Sequence, residues 1–235
     1  MTRQLFLEDA YLHSCEAEIV VADENGILLD QTVFYPLGGG QPGDSGVLHL
    51  TGGHQIVIAE ARKTASGAIV HIPDGAVPLP LPGTRVHAEI DWERRYRHMK
   101  MHTCMHLLCA VVDAGVTGGS ISADKARLDF DLPDQLLDKE HITQELNRLI
   151  GENYSVKPRW ITDQELEAQP DLVKTLSVQP PKGQGKVRLL EIEGIDLQPC
   201  GGTHVAHTAE IGAVRVAKIE KKSHHNRRVI VKFAD

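Results

Sequence analysis

Across residues 1–91 the apolar positions come in short runs of β-branched and aliphatic side chains, each closed by glycine, proline or a polar turn. Residues 17–22 and 26–34 form two such runs, separated by Asp23-Glu-Asn-Gly26, a hairpin signal. Further runs follow at 47–50, 55–61, 68–72 and 85–90, with Pro78-Leu-Pro-Leu-Pro-Gly83 interrupting them. Closely spaced short strands predict a small barrel or sandwich. Near Asp91 the period changes. From 98 to 113 the spacing is helical, with Met101, Met105, Leu108 and Val112 on one stripe. Gly115 and the Gly118-Gly119 pair end that pattern. Residues 126–132 alternate apolar and charged, as a half-buried strand does. Pro133-Asp134 leads into a second helical pattern through Ile142, Leu146, Leu149 and Ile150. Strands are predicted at 186–192, 211–219 and 228–233, the last two forming a hairpin around residues 223–226. The expected fold class is α+β: a small β-barrel-like N-terminal domain over 1–91, then an α+β domain over 92–235 with a mainly antiparallel sheet.

Composition narrows the class. A chain of 235 residues has room for one sizeable core or two modest ones. Aromatics are only 4%, which argues against an aromatic platform for stacking bases. The formal charge of −7 is the wrong sign for a general nucleic-acid binder, so any such contact needs a local basic patch. The four cysteines, at 15, 104, 109 and 200, lack the spacing of a disulfide framework. The N-terminal segment carries acids where a signal peptide needs an apolar run, and no stretch approaches the ~20 apolar residues of a membrane span. A cytoplasmic protein with reduced thiols and no membrane contact is expected.

Two short motifs carry the chemistry. His102 and His106 are four apart, so on a helix both imidazoles face one side. Cys200-Gly-Gly-Thr-His204 is a glycine loop that can bend a thiolate and an imidazole onto one point, with Pro199 stiffening its approach. Three histidines and one cysteine form a ligand set zinc favours, in either a closed structural site or an open catalytic one. Without the glutamate of His-Glu-x-x-His, the peptidase mechanism is not supported. Cys104 falls on another helix face. Cys109, three residues after His106, is the obvious competing thiol. Gly38-Gly-Gly-Gln-Pro-Gly-Asp44 has neither a P-loop nor a dinucleotide pattern, and alone it reads as a flexible turn. Basic residues cluster at Arg94, Arg95, Arg97 and Lys100, and again at Arg215, Lys218, Lys221, Lys222, Arg227 and Arg228. Such clusters are usually solvated faces, but these flank the metal motifs in an acidic chain, as a phosphate-tracking patch would.

Taken in order, His102-x-x-x-His106-Leu-Leu, the stretch 120–132 with Arg127-Leu-Asp-Phe-Asp, and Cys200-Gly-Gly-Thr-His204 resemble the editing domain of alanyl-tRNA synthetase. The segment from Phe34 to Gly46 resembles the glycine-rich motif of the small β domain that precedes it. The whole chain is similar to the free-standing alanyl-tRNA editing proteins in their medium-length form. The resemblance implies hydrolysis in trans of tRNA(Ala) mischarged with serine, with glycine as a further candidate. It implies one zinc per chain on His102, His106, Cys200 and His204, the same residues being catalytic. It brings Gly38, Gly39, Gly40 and Gln41 to the substrate, and sets Ser120, Ser122 and Arg127 at the amino-acid pocket. With mischarged tRNA(Ala) as partner, Arg94, Arg95, Lys221, Lys222 and Arg227 are the expected tRNA contacts. The chemistry agrees: an alanine site cannot exclude glycine, and rejects serine's extra hydroxyl by only about 1–3 kcal/mol. A second pocket that hydrogen-bonds the seryl hydroxyl discriminates far better. Two alternatives stand beside this reading: a threonyl-tRNA-type editing hydrolase, and a non-catalytic zinc-stabilised RNA-binding module.

Overall fold

The computed structural model describes residues 2–133, 136–176 and 185–234. The chain divides into two compact units, Met1–His98 and Met99–Asp235.

The first unit begins with β1 (Arg3–Gln4) and a single helical turn, α1 (Leu5–Glu8). The strands β2 (Ser14–Asp23), β3 (Gly26–Leu29), β4 (Gln31–Thr32), β5 (Gly46–Leu50), β6 (Gln55–Lys63), β7 (Ile69–Pro73) and β8 (Arg85–Ile90) follow. Six of them close a barrel in the order β2-β3-β7-β6-β5-β8. Alternate residues of these strands, among them Ile19, Ile27, Leu29, Leu48, Ile58 and Ile69, fill its interior. The predicted run 26–34 is shorter as a strand, because Asp30 breaks it. Its carboxylate accepts hydrogen bonds from the backbone N–H groups of Glu18 and Gln31, both at 2.8 Å. Beyond that break β4 pairs in parallel with β1.

Helix α2 (Trp92–Val112) crosses the unit boundary and starts six residues before the predicted start at 98. Its first turns look polar because the side chain buried there is Arg95. That guanidinium binds the carboxylate of Asp44 and donates to the carbonyls of Val33 at 2.6 Å and Ala10 at 3.1 Å. Arg95 is wholly buried, so it is withdrawn from the expected tRNA contacts.

In the second unit β9 (Val116–Ile121) and β10 (Lys125–Asp131) precede α3 (Lys139–Gly151). Asp134, part of the predicted helix lead-in, lies outside the described residues. The strand β11 (Val156–Thr162), the short helix α4 (Asp163–Glu167), β12 (Lys186–Ile192) and β13 (Asp196–Pro199) follow, then the hairpin of β14 (Val214–Lys221) and β15 (Asn226–Phe233). The strands form two antiparallel sheets, β14-β15-β10-β9 and β11-β12-β13, where one was expected. On the four-stranded sheet Ala126, Leu128, Phe130, Val216, Val229 and Val231 are buried, while the alternate residues of β10, Lys125, Arg127, Asp129 and Asp131, are not. Helix α3 covers the β14 edge: Asn147 accepts from the Val214 N–H at 3.0 Å and donates to its carbonyl at 2.8 Å. No described helix is long and apolar enough to cross a membrane.

Candidate metal centre

Helix α2 sets His102 and His106 one turn apart, with ring centroids separated by 5.6 Å. The loop after β13 brings Cys200 and His204 to the same place. Cys200 Sγ lies 3.5 Å from His102 Nε2 and 3.2 Å from His204 Nε2. The ligand atoms of all four residues lie within 4.8 Å of one another. Zinc bonds of about 2.3 Å to sulfur and 2.0–2.1 Å to nitrogen, at tetrahedral angles, set sulfur about 3.5 Å from each nitrogen. The separations of Cys200 Sγ from His102 and His204 fit that spacing, and with His106 in the same cluster this donor set can hold a metal ion. Cys109 lies outside the group. Burial pushes the thiols of Cys104 and Cys109 up to about 12, which keeps them protonated and poor ligands.

Neighbours orient the imidazoles of His106 and His204. Asp196 Oδ2 lies 2.9 Å from His106 Nδ1, so the carboxylate accepts the Nδ1 proton and leaves Nε2 for a metal. The Thr103 hydroxyl donates its one proton to the Met99 carbonyl at 3.0 Å. Its oxygen then accepts from His204 Nδ1 at 3.2 Å and from the Val205 N–H at 3.3 Å. Asp196 is held in turn by Gln198 Nε2 at 2.7 Å and Lys174 Nζ at 3.3 Å. Arg188 clamps the loop by donating to the carbonyls of Cys200 at 2.8 Å and Gly202 at 3.1 Å. Asp196, Thr103, Lys174, Gln198 and Arg188 carry no motif in the sequence. Thr103 adjoins His102, and Asp196 precedes Cys200 by four residues, but neither spacing is diagnostic.

Electrostatics follow this geometry. Burial alone would raise the Cys200 thiol. The charges of His102 and His204 and hydrogen bonds from His102 and His106 outweigh it and hold the thiol well below its usual range. Burial, then the charge of His102, holds His204 well below its ordinary value. Burial opposes protonation of His106 too, but the hydrogen bond to Asp196, then that to Cys200, lifts it to about 9. A cation here competes with protons, so its affinity falls with falling pH.

The other expected site residues fall on other elements of the chain. Gly38 and Gln41 exchange backbone hydrogen bonds of 3.1 and 3.0 Å. Gly39 and Gly40, with φ of +58° and +80°, complete a tight turn between them. The glycine tip is exposed and Gln41 is buried. Ser120, Ser122 and Arg127 line a cavity of about 420 Å³ that also includes Lys222. Arg94 donates to the Gly43 carbonyl at 2.7 Å. Arg227 is buried against its own hairpin turn, donating to the carbonyls of Ser223 and His224, which removes it from the expected tRNA contacts. Lys221 pairs across to Arg227, on the side of β14 opposite Glu220 and Arg228.

Comparison with known proteins agrees with the layout. The profile of the threonyl and alanyl tRNA synthetase second additional domain matches residues 187–230, and that of class II (A) tRNA synthetases matches residues 8–94. The chain is 37% identical over its full length to the full length of alanyl-tRNA editing protein AlaX-M of Methanosarcina acetivorans. It is 33% identical to AlaX-L of Pyrococcus horikoshii, over 95% of this chain and 56% of that protein. It is also 36% identical to alanine–tRNA ligase of Sulfurisphaera tokodaii, over 94% of this chain and 25% of that enzyme. Full-length identity at this level joins the two matched regions into one homologous whole: the chain belongs to the alanyl-tRNA editing proteins of the AlaX-M type.

Proposed function

We propose that this chain is a zinc-dependent, cytoplasmic aminoacyl-tRNA deacylase that hydrolyses Ser-tRNA(Ala), and Gly-tRNA(Ala) as a second substrate. One observation carries the reading: the four donor atoms converge within 4.8 Å in a chain that matches editing proteins from end to end. Zinc on His102, His106, Cys200 and His204, one per chain, would supply Lewis acidity toward the ester carbonyl or a water. The protein's own contribution is orientation. Asp196 and Thr103 hold His106 and His204 with their Nδ1 protons turned away from the centre. The Gly202 N–H, 3.4 Å from Cys200 Sγ, supports negative charge on the sulfur. The Arg188 clamp keeps Cys200 and His204 in register. An aminoacyl ester is more reactive than an amide, so no nucleophilic side chain is required. We assign Gly39 and Gly40 to contact with the tRNA substrate, with the exposed glycine tip allowing close backbone approach and the wholly buried Gln41 supporting that turn from within.

Release of amino acid from purified Ser-tRNA(Ala), Gly-tRNA(Ala), Ala-tRNA(Ala) and Ser-tRNA(Thr) tests the proposal. Rapid serine release from tRNA(Ala), with Ala-tRNA(Ala) spared, is the expected result. Preference for Ser-tRNA(Thr) would establish the threonyl-type alternative. Protection of Ser-tRNA(Ala) without release would establish a binding module.

A further inference from the structure

The outward face of the four-stranded sheet carries a charge opposite to that of the whole molecule. Strand alternation builds it. On β10 the buried Ala126, Leu128 and Phe130 alternate with Lys125, Arg127 and Asp129. Arg127 faces Ser120 on β9, Asp129 faces Arg228 on β15, and Arg228 faces Glu220 on β14. The cavity of about 420 Å³ opens here, with Ser120, Ser122, Lys125, Arg127, Lys222 and Arg228 in its lining. Among the described residues, four lining cations thus meet one lining carboxylate, Glu220, in a chain of formal charge −7.

Of the acids on this face, Asp131 ends β10 with its Oδ1 3.9 Å from His225 Nδ1, while Asp129 and Glu220 organise the cations without cancelling them. Asp129 accepts from Arg127 Nη1 at 2.7 Å and from Arg228 Nε and Nη2 at 2.7 and 2.8 Å. Glu220 pairs with Lys218 at 2.7 Å and Lys222 at 2.8 Å. Each carboxylate therefore splints two bases and leaves one net positive charge. A guanidinium has five N–H donors in a fixed fork, and Asp129 engages two of those on Arg228. Preset cations beside the Ser120 hydroxyl on β9 and the Ser122 hydroxyl in the turn that follows it suit phosphate oxygens and ribose hydroxyls. Among the described residues no aromatic side chain lines the cavity, so base stacking has no platform there.

We infer that this sheet face, centred on the cavity between Ser120, Lys125, Arg127 and Lys222, binds the sugar–phosphate backbone of the substrate tRNA. The inference rests on the proposed editing function for the identity of the RNA. It gives Ser120, Ser122 and Arg127 a different task from amino-acid recognition, since they serve the RNA body. Of the cations first expected to touch tRNA, it keeps Lys222 and adds Lys125 and Arg228.

The test measures binding of uncharged tRNA(Ala) to the full chain across a salt series, for wild type, Lys125→Ala, Lys222→Ala and the double variant. Lys157→Ala, a cation on β11 in the other sheet, is the control of equal charge. Each of the first two substitutions should lower the slope of log K against log salt by about one, and the double by about two. The control should leave it unchanged. In deacylation, the double variant should raise KM on full-length Ser-tRNA(Ala) several-fold but not on a seryl trinucleotide that lacks the RNA body. Melting temperature and metal content should match wild type. An unchanged slope in a folded double variant would overturn the inference, as would an equal loss at Lys157. If wild type binds tRNA(Ala) with the predicted slopes but releases no serine, the editing reading fails and the surface stands. If it releases serine while the double variant binds tRNA as wild type does, the surface fails and editing stands.

Discussion

At the scale of single residues, Asp196 and Thr103 solve the same problem for two histidines. Each takes the Nδ1 proton, so that His106 and His204 present Nε2. Loss of such a partner commonly costs 10–100-fold in metal affinity. Asp196→Asn should weaken zinc binding by about tenfold or more, measured by competition with a chromophoric chelator, without unfolding the chain. Unchanged affinity would show that His106 is oriented by packing alone. The glycines of the segment from Phe34 to Gly46 divide by physical role. A Cβ on Gly43 would meet the Ala61 carbonyl oxygen at 2.0 Å, and one on Gly46 the Glu89 carbonyl oxygen at 2.1 Å, so both are required by space. At Gly39 a Cβ would meet nothing within 4 Å, and only its φ of +58° demands glycine. Gly39→Val should therefore strain the turn, and Gln41→Ala, at a wholly buried polar side chain, should lower the melting temperature while leaving metal content unchanged. On the proposed role, Gln41→Ala changes deacylation by at least about threefold, the loss of one hydrogen bond. Equal rates on seryl and glycyl substrates would remove Gln41 from the site.

His71 gives the barrel a pH dependence. Its ring is buried, with Nδ1 2.9 Å from the Ile27 carbonyl oxygen and Nε2 2.8 Å from the Thr32 hydroxyl. Burial, only partly offset by the bond to Ile27, lowers it from 6.5 to about 4. Between those values the unfolded chain takes up a proton that the folded chain refuses. Stability is then full above about pH 6.5 and declines to about pH 4, by about 3 kcal/mol. Denaturant melts of wild type and His71→Gln across that range should show the slope diminished in the variant. Parallel curves would place the dependence in other groups.

At the scale of elements, regular alternation and unbroken stripes were legible, and structure carried by polar side chains was not. The strands β5 to β8, β10, β12 and the final hairpin follow from their apolar runs. The first turns of α2 did not, because their buried residue is Arg95, whose partner Asp44 is 51 positions away. The strand β9 was hidden by Gly118 and Gly119, which by local preference break regular structure but here build the strand, α2 having already ended at Val112; a Cβ on Gly119 would lie 2.9 Å from Leu128. Pro158 disguised β11, which tolerates it as an edge strand. The covering of the β14 edge by Asn147 is likewise a tertiary device with no local signature. Asn147→Leu should strand the Val214 N–H and carbonyl and cost about 2 kcal/mol in denaturant unfolding. A loss below about 0.5 kcal/mol would show that packing of α3, and not these bonds, secures the edge.

At the scale of the molecule, the four-donor cluster was readable because its members fall in two tight motifs, His102 with His106 and Cys200 with His204. Their convergence follows from α2 and the β13 loop meeting across almost a hundred positions, 98 between His102 and Cys200. The basic patch was only half readable. Sequence order groups Lys221, Lys222, Arg227 and Arg228, whereas strand alternation sends Lys222 and Arg228 to one face and turns Lys221 and Arg227 away from it. The central claim is that editing depends on metal held by the four donors. The direct measurement is the rate of serine release from Ser-tRNA(Ala) by chelator-stripped protein as zinc is restored. The rate should rise in proportion to bound zinc and level off at one per chain, with no recovery in Cys200→Ala. Full release by metal-free protein, or recovery in Cys200→Ala equal to wild type, would contradict it.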